Sequence, residues 1–191
     1  MKNQRSWSVA VFALKFFVLV IILGVLWWKV LPFYGQVLLQ VTGLPLKYAL
    51  GVPIDSGFVE TEGVLNTESR LVFSVQGHER RMKIAHLVTN IPPYIALVLA
   101  TAGLTWRRRG LILLYGCGII CFFHVFFIIM AMRFQDKLMQ ISEVPTAMVQ
   151  FFLTLPFMLW IVFAYWDKLV TLFQDKNAEA EPCASGDVDK D

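Results

Sequence analysis

Three residues inside one apolar run are the first to weigh for chemistry. Cys117, Cys121 and His124 recur at i, i+4 and i+7, a spacing that brings all three to one face of a helix. Two thiols and an imidazole can begin a zinc or copper site, and a cysteine beside a histidine can begin a thiol nucleophile. An ionisable side chain at membrane depth is a functional hypothesis in its own right. A metal would need further donors, yet His78 and His86 belong to a separate polar stretch and Cys183 to a polar tail. The competing use is packing, because buried thiols behave as small apolar groups and small residues let helices approach closely. Gly116 and Gly118 flank Cys117, and Ala96, Ala100 and Gly103 form a second small-residue stripe upstream. Packing is the stronger reading. No catalytic residue, metal ligand or cofactor is therefore assigned, and Cys117, Cys121 and His124 remain the metal candidates.

Two basic clusters could contact anions. Arg107, Arg108 and Arg109 could hold an acidic lipid headgroup, although such a triplet next to an apolar run is foremost a topology signal. Arg80, Arg81 and Lys83, close to His86, could bind an anionic group near a bilayer. Interspersed Glu60, Glu62 and Glu79 favour a solvated strand face instead. The chain has no Gly-rich phosphate loop, no H-E-x-x-H, no G-x-S-x-G and no intramembrane carboxylate pair. A formal charge of +3 without a basic, aromatic-interleaved patch argues against nucleic acid.

The elements that must carry these residues are apolar. Of 191 residues, 57% are hydrophobic and 16% charged, where soluble domains have about 25% charged. The apolar residues cluster into runs that call for lipid. An α-helical membrane protein with about four transmembrane helices is expected, carrying a small extracytoplasmic β-meander between the first and second. Residues 1–31 form an N-terminal anchor, uncleaved because the run ends in Trp27-Trp28-Lys29 rather than a small-residue exit. Pro32 should stop that helix, leaving 32–52 as an amphipathic segment along the membrane surface. In the β-rich loop, 53–86, Leu71, Phe73 and Val75 alternate with Arg70, Val72 and Ser74, and Arg81-Met82-Lys83-Ile84 alternates again. Turns fall at Asn66–Ser69 and Gln76–His78, which makes a three-stranded meander the simplest arrangement.

Residues 87–173 form a three-helix bundle. Its first span, Pro92–Trp106, starts with Asn90 as the cap and is short for a bilayer at about 22 Å. The next runs from Gly110 to about Met132, and the last from Ala147 to Trp166 with a kink at Pro156. Residues 174–191 read as a disordered cytoplasmic tail. Placing Lys2, Arg5 and the arginine triplet inside puts both termini in the cytoplasm of a bacterial inner membrane. Under this arrangement the Lys and Arg outside the bilayer divide evenly between the two sides.

Trp28, Pro32 and Tyr34, followed by Asn90, Pro92, Pro93, Tyr94 and the run Ile95–Ala100, resemble the exosortase H-associated membrane proteins over roughly the first hundred residues. The resemblance implies a non-catalytic accessory subunit of a bacterial inner-membrane protein-sorting or envelope-export assembly. Its partners would be membrane lipids and a larger integral membrane protein, an exosortase by that analogy. The alternatives are a membrane-embedded enzyme or metal-binding protein using Cys117, Cys121 and His124, and a small homo-oligomeric transporter or channel. Almost no polar side chain is available to line a pore, which ranks the last reading lowest.

Overall fold

A computed structural model describes residues 2–48, 50–61, 68–75, 77–138 and 143–180. The chain is mostly helical with one small sheet. Its elements are α1 (Lys2–Tyr48), β1 (Ile54–Glu60), β2 (Arg70–Val75), β3 (His78–Lys83), α2 (Ala85–Val88), α3 (Ile91–Ala100), α4 (Trp106–Leu138) and α5 (Glu143–Ala180). Among the described residues three helical stretches are long and apolar enough to cross a membrane: Ala10–Tyr48, Trp106–Phe134 and Val149–Trp166. The fourth apolar helix, Ile91–Ala100, has 10 residues and falls short of that length.

The largest departure from expectation is α1. Rather than ending at Pro32, it continues as one helix of 47 residues through Pro32 and Pro45. A proline inside a helix removes one hydrogen bond and costs about 3 kcal/mol. Here the helix is held on both sides of the defect: Leu31, Gly35, Leu38, Thr42 and Leu46 are all buried at helical spacing. Packing of a continuous stripe thus outweighs local propensity. The true stop comes later, where Leu50 N–H donates to Pro45 C=O (3.1 Å) and Val52 N–H to Leu46 C=O (3.0 Å). Gly51, at φ +61, supplies the left-handed residue that this C-terminal closure requires.

The expected meander is present as an antiparallel sheet in the order β1-β2-β3. Val75 pairs with His78 across a two-residue connection in which Gly77 has φ +76. Asn66, Thr67 and Gln76 lie outside the described residues. Pairing places Val59, Leu71 and Met82 side by side, next to Gly57, Phe73 and Arg80. This face lies on α1: a Cβ on Gly57 would touch Leu39, and one on Gly35 would touch Val59 and Ile84. The helix and sheet consequently share one core with the bundle, containing Leu31, Leu38, Phe73, Ile84, Tyr94 and Ile120. Residues 33–48 are therefore the sheet's platform, continuous with the anchor.

α3 is shorter than the sequence predicts, ending at Ala100 instead of Trp106. Thr101 turns to extended geometry (φ −66, ψ 121) and Gly103 follows at φ +81. In α5 the departure from helical torsions falls at Tyr165 (φ −115, ψ 15), not at Pro156, and α4 has a similar one at Phe134. Residues 174–180, expected to be irregular, extend α5; the tail from Glu181 onward, with Cys183, lies outside the described residues.

Candidate functional site

His124 is the centre of the buried polar chemistry, at 0% exposure. Its Nδ1 lies 2.8 Å from the Tyr34 hydroxyl of α1, and its Nε2 lies 3.1 Å from Oδ1 of Asn90, just before α3. With Asn90 Oδ1 as the acceptor, the imidazole hydrogen belongs on Nε2. Nδ1 is left as the acceptor for the Tyr34 O–H. The Tyr34 O–H also lies within donating distance of Cys121 Sγ, at 3.3 Å. Tyr34 thus joins Cys121 to His124, and His124 joins Tyr34 to Asn90.

Each member is placed by its element. Tyr34 follows one turn after Leu31 and Val30, and its ring packs on Trp27 at 5.3 Å. Asn90 was expected to cap α3, but its side chain makes no cap bond; it is used on His124 instead. The imidazole packs against Phe152 of α5 at 5.4 Å, so four elements meet at one ring. In an apolar interior an unpaired polar group costs several times what a hydrogen bond in water gains, and this makes such a chain a strong constraint on how the helices dock.

Cys117, Cys121 and His124 do share a face, as their spacing requires, but they do not converge. Cys121 and His124 both reach Tyr34, whereas Cys117 is a half-buried free thiol one turn earlier on the helix. Among the described residues no group of three His, Cys, Asp or Glu side chains is arranged to hold a metal ion.

The small residues separate into two groups. Gly116 is buried against the Tyr94 ring, where an added Cβ would overlap the phenol, and Tyr94 donates to the Ile112 carbonyl at 2.8 Å. Ala96 and Ala100 are buried on α3, whose most extensive helix contact is with α1. Gly118 is exposed with no atom within 4 Å of a built Cβ, and Gly103 belongs to the turn after α3.

A second polar knot closes the other end of α3. Thr101 Oγ1 donates to Leu97 C=O at 2.7 Å and accepts from Trp160 Nε1 at 2.8 Å. The Thr101 carbonyl accepts from Arg109 at 2.8 Å. This bond falls where Thr101 leaves helical geometry and α3 ends. Arg109 therefore points inward and stacks on Trp106 at 5.4 Å, while Arg107 is exposed and Arg108 half-buried, its N–H capped by Thr105 Oγ1 at 3.4 Å. On the sheet, Arg80 donates to the Met132 carbonyl at 3.2 Å, joining β3 to the end of the apolar part of α4. Arg81 pairs with Glu79 (2.8 Å) and Glu60 (3.8 Å), and Lys83 is exposed.

Sequence reasoning found His124 but missed Tyr34 and Asn90 as its partners, along with the Trp160–Thr101–Arg109 knot. All join residues 59 or more positions apart, except His124–Asn90 at 34 and Arg109–Thr101 at 8. The available signal was chemical: Tyr34 and Asn90 are polar groups beside apolar runs with no local partner. Comparison of the chain with known protein families, characterised proteins and solved structures finds no match.

Proposed function

We propose that this chain is a multi-pass protein of a bacterial inner membrane, serving as a non-catalytic accessory subunit of a protein-sorting or envelope-export assembly. The arrangement has four passes, with α2 and α3 together making the short one, both termini in the cytoplasm and the sheet outside. The observation that supports this reading is the Tyr34–His124–Asn90 chain. The most chemically capable group in the bundle has both ring nitrogens committed to holding α1, α3 and α4 together. What remains for recognition is surface: the sheet and the part of α1 beneath it. The resemblance to exosortase H-associated proteins gives the partner class, a larger integral membrane protein. Copurification from gently solubilised membranes should recover such a partner in stoichiometric amount. Recovery of this chain with no larger protein overturns the reading.

One observation favours a second reading, a membrane enzyme. Tyr34 bridges the Cys121 thiol and the His124 imidazole, so a thiol and a base are joined through one hydroxyl. On that reading Cys121→Ala abolishes function at unchanged protein abundance. If Cys117→Ala, Cys121→Ala and His124→Ala all keep function, it fails.

A further inference from the structure

Trp27 Nε1, on α1, is a buried donor with no hydrogen-bond partner among the described residues. In an apolar interior an unpaired N–H is costly, and a catalytic use is one of the few reasons to keep one. The Trp27 ring packs on the Tyr34 ring at 5.3 Å, and the Tyr34 hydroxyl is 3.3 Å from Cys121 Sγ. α1 and α4 run the same way. At one end Phe12 stacks on Trp160, which bonds Thr101, whose carbonyl holds Arg109; at the other Tyr34 meets His124. Trp27, seven residues before Tyr34, is therefore level with Cys117, seven before His124, and about one turn from Cys121.

The groups around Cys121 fall into the roles of acyl transfer. His124 presents Nδ1 to the hydroxyl that reaches the thiol, while Asn90 Oδ1 accepts from Nε2 and fixes the ring. This is the order of nucleophile, base and orienting amide in a Cys-His-Asn triad, with a tyrosine hydroxyl between the first two. Cys121 is a half-buried free thiol, so a reactant can reach it. The reactant must be apolar. Cys121 lies about 22 Å along α4 from Trp106, within the thickness of a hydrocarbon core, and α4 has no charged residue between Arg109 and Arg133.

We propose, resting on the membrane-enzyme reading, that Cys121 takes the acyl group of an apolar ester, with Trp27 Nε1 stabilising the oxyanion. The thiol proton passes to the Tyr34 oxygen as the Tyr34 hydrogen passes to His124 Nδ1. The sulfur lone pair forms the bond to the ester carbonyl carbon, and the charge that develops on the carbonyl oxygen meets the unpaired indole N–H. The tetrahedral centre collapses by breaking the C–O bond to the alcohol. That oxygen leaves with the electron pair and takes the proton from His124 back through Tyr34. The products are a thioester on Cys121 and a free alcohol.

The test gives p-nitrophenyl decanoate to the purified full chain in phospholipid vesicles and follows nitrophenolate release and the mass of the cysteine peptides. The chain should release a burst and carry a decanoyl thioester on Cys121, formed at least about tenfold faster than on Cys117, which has the same exposure class. Trp27→Phe keeps a ring and loses the N–H. It should slow acylation about tenfold or more. Alkylation of Cys121 by iodoacetamide, which develops no oxyanion, should be unchanged in that variant. Tyr34→Phe interrupts the proton path and should slow both reactions. No adduct, an adduct shared equally by Cys117 and Cys121, an acylation rate unchanged in either variant, or Trp27→Phe slowing both reactions alike overturns the proposal. The enzyme reading is decided separately in cells, where function kept by Cys121→Ala removes it; the vesicle result alone decides the chemistry at Cys121.

Discussion

The interior where α1, α3 and α4 meet and the open face of the sheet both contain polar side chains, and they use them in opposite ways. In the interior a single imidazole at 0% exposure joins Tyr34 to Asn90, and a phenol fills the notch left by Gly116. On the sheet, Arg81 faces two glutamates while half of its side chain remains in solvent. The interior groups are held away from water and fix how helices dock. The sheet's ion pairs exchange for water with little loss. The difference shows where a small number of polar atoms determines a fold, and it is set by dielectric surroundings rather than by charge.

Substitutions can break this comparison at graded points. The largest effect is expected at Gly116→Ala, where the new methyl overlaps the Tyr94 ring in a packed interior. Loss should be about 3 kcal/mol or more, at the upper end of overpacking costs, read as lost thermal stability in detergent or lost abundance. Adding Tyr94→Leu should restore part of it, because the two sites are coupled. His124→Leu should cost about 1–3 kcal/mol by stranding the Tyr34 hydroxyl and Asn90 Oδ1 in an apolar setting. An unchanged melting temperature would show that those groups find other partners.

Smaller effects sharpen the contrast. Trp160→Phe removes the bond to Thr101 and part of the ring packing on Phe12 and Tyr165, and should cost about 1–3 kcal/mol, measurable as faster exchange of backbone amides near Thr101. Arg81→Ala on the sheet should change stability by less than about 1 kcal/mol, and its effect should shrink further in high salt. At the bottom of the series, Gly118→Ala lies on the same helix as Gly116 but meets nothing within 4 Å. It should be neutral or stabilising by up to about 1 kcal/mol, from helix propensity alone. A large loss there would mean that the exposed face of α4 is covered by a neighbour.

Much of the architecture was legible from pattern. The strand alternation around Leu71–Val75 and the apolar runs reported their elements directly, since each depends on residues close in sequence. What escaped was set by distant contacts. Pro32 reads locally as a stop, yet Leu31, Gly35 and Leu38 are anchored by a sheet and bundle that the local pattern does not contain. Asn90 reads as a cap because nothing nearby shows that His124 takes its side chain. Trp106 reads as the end of the second apolar helix, but that helix ends at Ala100, where Thr101 is bonded by Arg109 and Trp160 from distant parts of the chain. Of the candidate residues, spacing alone placed Cys117, Cys121 and His124 on a common face. Their lack of convergence depends on where Tyr34 intervenes, which spacing does not record.

The unbroken course of α1 has a mechanical consequence. A helix of 47 residues is about 70 Å long, and this one is gripped near Leu31 and Tyr34, partway along its length. It is a beam with a fulcrum. Rocking it by about ten degrees would swing the sheet end by about 4 Å and the opposite end by about 8 Å the other way, given 1.5 Å of length per residue. A tilt of α1 would thereby be felt both at the sheet and at the opposite terminus.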